Sequence, residues 1–198
     1  MLSYMNIRRP IASAVMKGVR YLNLQEYQSK SVMDSFGVVV QEGLPASTLA
    51  TARDVAHKIV SDSPSSSLIV KAQILSGGRG KGSFVNSKMK GGVKVLSSSD
   101  LNDGTFDDVV SNMLGDYLVT EQTGEAGLKV DTLLINKGID IEKELYFAVL
   151  LDRVSQAIVV VASEKGGVDI ESVDEQHIHK FYVDIVDGLR EDTVQEVR

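Results

Sequence analysis

Residues 71–95, KAQILSGGRGKGSFVNSKMKGGVKV, join an apolar run to a loop in which glycines alternate with cations. Gly77, Gly78, Gly80, Gly82, Gly91 and Gly92 stand among Lys71, Arg79, Lys81, Lys88, Lys90 and Lys94. Glycines let backbone amides approach a ligand closely and the cations would neutralise it, so the pattern suits a polyphosphate. It is not a Walker A loop, because Lys81 is followed by Gly82 and not by Ser or Thr. Nor is it a dinucleotide fingerprint, since Gly78-x-Gly80-x-Gly82 has another spacing. A flexible, solvated hairpin loop would have the same composition, and the loop alone does not choose between the two. Lys71 adds information. It stands within LIVKAQIL, residues 68–75, where a lysine is costly unless an anion pairs with it. A nucleotide phosphate at a strand-to-loop junction would be that anion; an edge-strand lysine reaching out to water is the alternative.

Upstream, LQEYQSKSVMDSF, residues 24–36, places Leu24, Tyr27, Ser31 or Val32, and Phe36 on one helical face. Gly37 is positioned to end that helix. Residues 38–40 read as a short buried strand. Thr51 and Asp54 have the spacing of a helix N-cap and its acidic partner, with the helix running to about Val60. A polar loop, 61–67, precedes the strand 68–75, in which Lys71 and Gln73 point to one side. Downstream, 93–96 is a strand, and Asp100 and Asp103 are candidate caps near the start of a helix reaching Leu114. Residues 117–121, 132–136, 145–152 and 157–162 are strand candidates, the last two joined by a hairpin turn at 153–156. The first part alternates helix and strand and the second is strand-rich, an α+β arrangement of two subdomains.

Composition narrows the function. With 198 residues and 43% hydrophobic content a packed core is expected. The absence of cysteine excludes disulfides, thiolate zinc sites and a cysteine nucleophile. No run approaches the roughly 20 apolar residues of a membrane-spanning helix. His57, beside Lys58 on an amphipathic helix, reads as solvated. His177 and His179 alternate, which would put both on one strand face, but no third metal ligand accompanies them. Residues 1–22 carry Arg8, Arg9, Lys17 and Arg20 and no acid, the composition of a mitochondrial transit peptide; a basic N-terminal extension is the alternative. Removing those four leaves 17 basic groups against 27 acids, a formal charge of −10. So acidic a body argues against nucleic acid as a partner. Glu144, near the start of a strand, is either an acceptor for hydroxyl groups such as those of ribose or a solvated charge.

Read together, NLQEYQSKSVMDSFGV, KAQILSGGRGKG, MKGGVKV, KELYFAVLLDR and SEKGGVDIESV resemble, in order and spacing, the N-terminal part of succinyl-CoA synthetase beta subunits. The resemblance covers about residues 23–190. It implies an ATP-grasp fold over 23–198, in which two α+β subdomains clamp a nucleotide. It also implies the reaction of succinate, CoA and a nucleoside triphosphate to succinyl-CoA, diphosphate and phosphate, or its reverse, in the tricarboxylic acid cycle. The expected partner is an alpha subunit whose phosphohistidine carries the phosphoryl group, forming a heterodimer in the mitochondrial matrix. Carried over by motif, Lys71 resembles the lysine that contacts the nucleotide phosphates. Gly78, Arg79 and Gly80 resemble the loop closing over them, and Glu144 the acid of the nucleotide site. Gln41 matches a place where ATP-preferring members often carry proline and GTP forms glutamine, whose amide can donate to guanine O6. The cofactors implied are GTP or ATP with magnesium. The sequence departs from the family at Asn136 and Lys137, where an acidic residue is usual. The chain as given stops before the Asn and Asp that would hold magnesium and before the CoA-ligase domain. A nucleotide-binding remnant without turnover is therefore the alternative to an enzyme subunit.

Overall fold

The computed structural model describes residues 23–167, 170–184, 186 and 188, so the leader expected at 1–22 lies outside the described residues. The chain divides into two compact units, one reaching to Ile139 and one beginning at Asp140. In chain order the first contains α1 (Glu26–Ser35), β1 (Gly43–Ala46), α2 (Leu49–Asp62), β2 (Leu68–Ala72), β3 (Ser83–Phe84), β4 (Val93–Leu96), α3 (Thr105–Met113), β5 (Tyr117–Val119), β6 (Leu128–Lys129) and β7 (Leu133–Lys137).

A four-stranded sheet in the order β1-β7-β2-β4, antiparallel throughout, forms the backbone of this unit. Alternation in β2 buries Leu68, Val70 and Ala72 on one face and leaves Ile69 and Lys71 half-buried on the other. The buried face meets Ala52, Ala56 and Ile59 of α2 and Phe106, Val110 and Met113 of α3 in one core. Each helical set repeats at i, i+4 and i+7, the spacing that keeps side chains on one face. Residues 132–136 were expected among the strands of the second half. They instead form β7 at the centre of the first unit, because the consecutive buried residues Leu133, Leu134, Ile135 and Asn136 need cover on both faces. A smaller sheet, β3-β5-β6, carries the glycine loop. Gly92 is required there by contact: a Cβ would lie 2.5 Å from Leu118 Cδ2 and 3.0 Å from the Arg79 carbonyl oxygen.

Three local expectations are corrected. Residues 38–40 form no strand, and Val39 is 97% exposed. The valine run has the right propensity, but β7 offers its edge to Gly43–Ala46 instead, and pairing register outweighs propensity. The second helix starts three residues earlier than Thr51 suggests. Thr48 is the N-cap; its hydroxyl accepts from Thr51 N at 3.1 Å, while Thr51 Oγ1 accepts from Thr48 N at 3.2 Å. The apolar stripe of α1 does not face a core. No residue of α1 is buried and Phe36, just beyond it, is 82% exposed. Gly37 ends the helix as expected, with φ +78 and its N–H on the Asp34 carbonyl.

The second unit holds β8 (Tyr146–Asp152), β9 (Ala157–Ser163) and β10 (His179–Val183) in the antiparallel order β10-β9-β8. The turn at 153–156 falls where expected, and the Asp152 carboxylate accepts from Val154 N at 3.0 Å and Ser155 Oγ at 2.7 Å. His177 lies in a short 3-10 turn before β10, so it does not share a strand face with His179.

One carboxylate ties the glycine loop to β5. Asp116 is buried and accepts hydrogen bonds from Asn86 N, Asn86 Nδ2, Ser87 N and Tyr117 N. Burial opposes its charge, but the N–H groups of Ser87, Asn86 and Tyr117 hold the carboxyl down to about 2. A depressed folded-state value contributes stability above the unfolded value and loses it as pH falls towards the folded one. Asp116→Asn is therefore expected to lower stability by about 1–3 kcal/mol at neutral pH. Urea titration should show that difference shrinking as the pH is lowered from about 4 towards 2.

Candidate functional site

The site grows from the end of β2. Lys71 emerges from the half-buried face, and its Nζ donates to Glu26 Oε1 at 3.0 Å. Arg79, in the glycine loop, donates from Nη2 to Glu26 Oε2 at 2.7 Å and from Nη1 to the Ala72 carbonyl at 2.7 Å. Lys30, one turn along α1, places Nζ 3.3 Å from Glu26 Oε1. One carboxylate thus gathers three cations, leaving the group with a net charge of +2. Burial works against the Glu26 charge, but the hydrogen bonds from Arg79 and Lys71 outweigh it and hold the carboxyl down to about 2. Gln73 completes the attachment of α1: its Oε1 accepts from Tyr27 N and its backbone carbonyl from Gln25 Nε2, each at 3.3 Å.

The loop itself presents donors. Gly78 adopts φ +69, a left-handed conformation that glycine enters without strain. Gly78 O and Arg79 O accept from Lys81 N and Gly82 N in a single 3-10 turn. The amides of Gly78, Arg79 and Gly80 donate to no protein acceptor among the described residues. No neighbour lies within 4 Å of a Cβ placed on Gly80. Free amides beside Lys71 and Arg79 are suited to phosphate oxygens.

Two cavities flank α1. One of about 640 Å³ is lined by Glu26, Ile74, Ser76, Gly77, Arg79 and Gln122, on the loop side. The other, about 710 Å³, is lined by Tyr27, Lys30, Gln41, Gly43, Lys58 and Leu134 among others. Gln41 opens onto the second cavity, and Lys71 lines neither. Gln41 Nε2 donates to the Lys137 carbonyl at 2.7 Å and its Oε1 accepts from Lys30 Nζ at 3.3 Å. The pair that departs from the family pattern is used internally. Asn136 is fully buried with Nδ2 on the Glu42 carbonyl at 3.1 Å, and Lys137 Nζ donates to Ser63 Oγ at 2.7 Å.

Glu144 belongs to the second unit and precedes β8. It is exposed and lines a cavity of about 520 Å³ with Glu164, Lys165, Gly166 and His177. A Cβ on Gly167 would collide with Glu144 Oε2, so that glycine makes room for the carboxylate, while Gly166 packs against the backbone of Glu144 and Leu145. His57 is exposed on α2. Among the described residues no three His, Cys, Asp or Glu side chains converge as a cation site.

Glu26 is the residue the sequence did not single out. Two signals pointed towards it: the demand of Lys71 for an anion, and an acid in the first helical turn with a lysine four residues on. Neither could show that the anion lies 45 residues upstream.

A mixed α/β fold of antiparallel sheets with a cation-bearing glycine loop defines the class. The chain matches the ATP-grasp domain over residues 23–198 and belongs to that family. It is 43% identical over 175 residues to the succinate–CoA ligase [GDP-forming] subunit beta, mitochondrial, of Dictyostelium discoideum, covering 87% of this chain and 40% of that protein. It is 42% identical over 182 residues to the succinate–CoA ligase [ADP-forming] subunit beta of Opitutus terrae, covering 89% and 43%. The chain thus spans about two fifths of the length of these relatives. Among solved structures, a dinucleotide-forming acetyl-coenzyme A synthetase 1 of Ca. Korarchaeum cryptofilum shares the fold. The TM-score is 0.58 at 17% identity, over 88% of this chain and 63% of that one.

Replacing Glu26 by Gln removes the charge that gathers Lys30, Lys71 and Arg79. Stability is expected to fall by about 2 kcal/mol at pH 7, the scale of a lost charged hydrogen-bond partner. Because the carboxyl titrates near 2, chemical denaturation should show the variant and parent converging as the pH falls from about 4.5 towards 2.

Proposed function

We propose that this chain is the nucleotide-binding portion of a succinate–CoA ligase beta subunit, working with magnesium and either GTP or ATP. The observation that carries the reading is the Lys71–Arg79 pair beside the free amides of Gly78, Arg79 and Gly80. It stands in a chain about 40% identical to such beta subunits over nearly nine tenths of its length.

Phosphoryl transfer asks a protein chiefly to position and neutralise phosphates. Lys71 and Arg79 supply charge, and the loop amides supply directional donors. Glu26 keeps the two cations together until a phosphate arrives, and the excess of positive charge in the group favours that arrival. For Glu144, in the second unit, the resemblance alone supports a part as acceptor for nucleotide hydroxyls. The phosphoryl group is carried by a histidine of an alpha-subunit partner. In this reading the chain couples interconversion of succinate and succinyl-CoA to nucleotide turnover in the tricarboxylic acid cycle. Residues 1–22 direct it to the mitochondrial matrix.

The reading is tested by thermal unfolding of the full chain with and without magnesium-GTP or magnesium-ATP. A ligand that binds only the folded state raises its stability, by about 2.7 kcal/mol at one hundred times Kd. A rise in midpoint with at least one nucleotide is expected, with most of it lost in Lys71→Ala. A cooperative transition that neither nucleotide moves would overturn the proposal.

A further inference from the structure

The turn that follows β5 touches both ends of the glycine loop. Gln122 Oε1 accepts from Gly77 N at 2.8 Å, and Thr120 Oγ1 lies 2.9 Å from Ser76 Oγ. At the far end Gly82 packs closely against the same segment. A Cβ there would lie 2.7 Å from the Val119 carbonyl oxygen and 3.2 Å from Thr120 Cγ2. Residues 119–122 thus hold the loop at 76–77 and again at 82, and the amides of Gly78, Arg79 and Gly80 lie between the two attachments. The turn is itself tied internally. Thr120 N donates to Thr123 Oγ1 at 2.9 Å, Thr123 N to the Thr120 carbonyl at 3.3 Å and Gln122 N to Thr120 Oγ1 at 3.2 Å.

The attachment at Gly77 has no substitute in the backbone. Gln73 N donates to the Thr132 carbonyl and Lys81 N to the Gly78 carbonyl, each at 3.0 Å. Among the described residues, Gly77 N is the one backbone N–H between them with a protein acceptor, and that acceptor is a side chain. An amide N–H can only donate, so the oxygen of Gln122 must be the end that meets it. Gly77 is matched to the contact: a Cβ on it would lie 2.9 Å from Gln122 Nε2 and 3.2 Å from Gln122 Cδ. Gly77, Arg79 and Gln122 line the same cavity on the loop side. The bond is exposed and adds little to global stability, so its effect is local. A loop already held at both ends loses less freedom when a ligand orders it than a loop held at one end. We infer that Gln122 is a positioning residue for the phosphate loop: it holds Gly77 and so presents the amides of Gly78, Arg79 and Gly80 before the nucleotide arrives. This rests on the nucleotide-binding reading above and extends it to a side chain outside the loop.

The test is isothermal titration of the full chain with magnesium-ATP and magnesium-GTP, for the parent, Gln122→Met, Gly77→Ala and the double variant. Gln122→Met keeps the stem and removes the acceptor. Gly77→Ala breaks the same contact from the loop side. Gly77 has no positive φ, so alanine adds no backbone strain, and what it displaces is the end of a flexible side chain. Each single variant should weaken the nucleotide that the parent binds by about fivefold, the scale of one hydrogen bond. The double variant should lose about the same fivefold, because both changes remove one contact. Thermal midpoints without nucleotide should stay within about 4 °C of the parent's. In hydrogen exchange of the unliganded chain, the Gly77 amide should lose protection in Gln122→Met and keep it in Gln122→Glu, whose carboxylate still accepts. Unchanged affinity in Gln122→Met would overturn the inference. So would losses that multiply to about 25-fold in the double variant, or Gly77 exchange that Gln122→Met leaves unaltered. A parent that binds neither nucleotide would overturn the nucleotide reading and this role with it, while the exchange result would show separately whether Gln122 holds Gly77.

Discussion

Lys71 stands in a half-buried strand position with its ammonium 3.0 Å from Glu26, and the rest of the site follows from that pairing. An unpaired ammonium there would be strongly disfavoured. The anion comes from the first turn of α1, so satisfying the lysine also fastens the helix. This explains why α1 buries none of its own residues and leaves Phe36 in solvent. Its attachment is polar, through Glu26 to two cations and through two hydrogen bonds that Gln73 accepts, from Gln25 Nε2 and Tyr27 N. A helix held by charge and hydrogen bonds can change its contacts when a competing anion arrives. A helix held by an apolar stripe would have to expose that stripe to do so.

The same carboxylate organises the loop. Arg79 is drawn back onto the Ala72 carbonyl and Glu26, while the loop turn leaves the amides of Gly78, Arg79 and Gly80 without protein acceptors. The glycines divide the labour. Gly92 admits close packing against Leu118, whereas Gly78 supplies a left-handed turn. Asp116 fastens the far side of the loop by accepting from the backbone N–H groups of Asn86, Ser87 and Tyr117. Two depressed carboxylates, Glu26 and Asp116, thus bracket the glycine-rich segment, and both are stable in charge across the physiological range.

Along α1 the polar contacts continue from Glu26 to Lys30, Gln41 and the Lys137 carbonyl. The chain of contacts joins the cation pair near the loop to the cavity that Gln41 lines. A lysine shared between a carboxylate and an amide oxygen fixes which end of the amide is the acceptor. Asn136, fully buried, donates from Nδ2 to the Glu42 carbonyl and ties β7 to the segment before β1.

Local chemistry made much of this legible in the sequence. The strands β2, β4, β5, β8 and β9, the 153–156 turn and the helix stop at Gly37 follow from periodicity and turn residues, because those signals act over a few positions. The glycine–cation loop and the need of Lys71 for an anion were readable for the same reason. What the tertiary structure decided depends on contacts between distant residues. The valines at 38–40 had strand propensity, but Gly43–Ala46 won the edge of β7 because the register fitted there. Residues 133–136 became a central strand because both of their faces could be covered. Glu26 became the counter-anion of Lys71 only when α1 was laid beside the end of β2, and Lys30 acquired Gln41 by the same placement. Charge type and spacing fix what a residue requires; the fold determines which distant group meets the requirement.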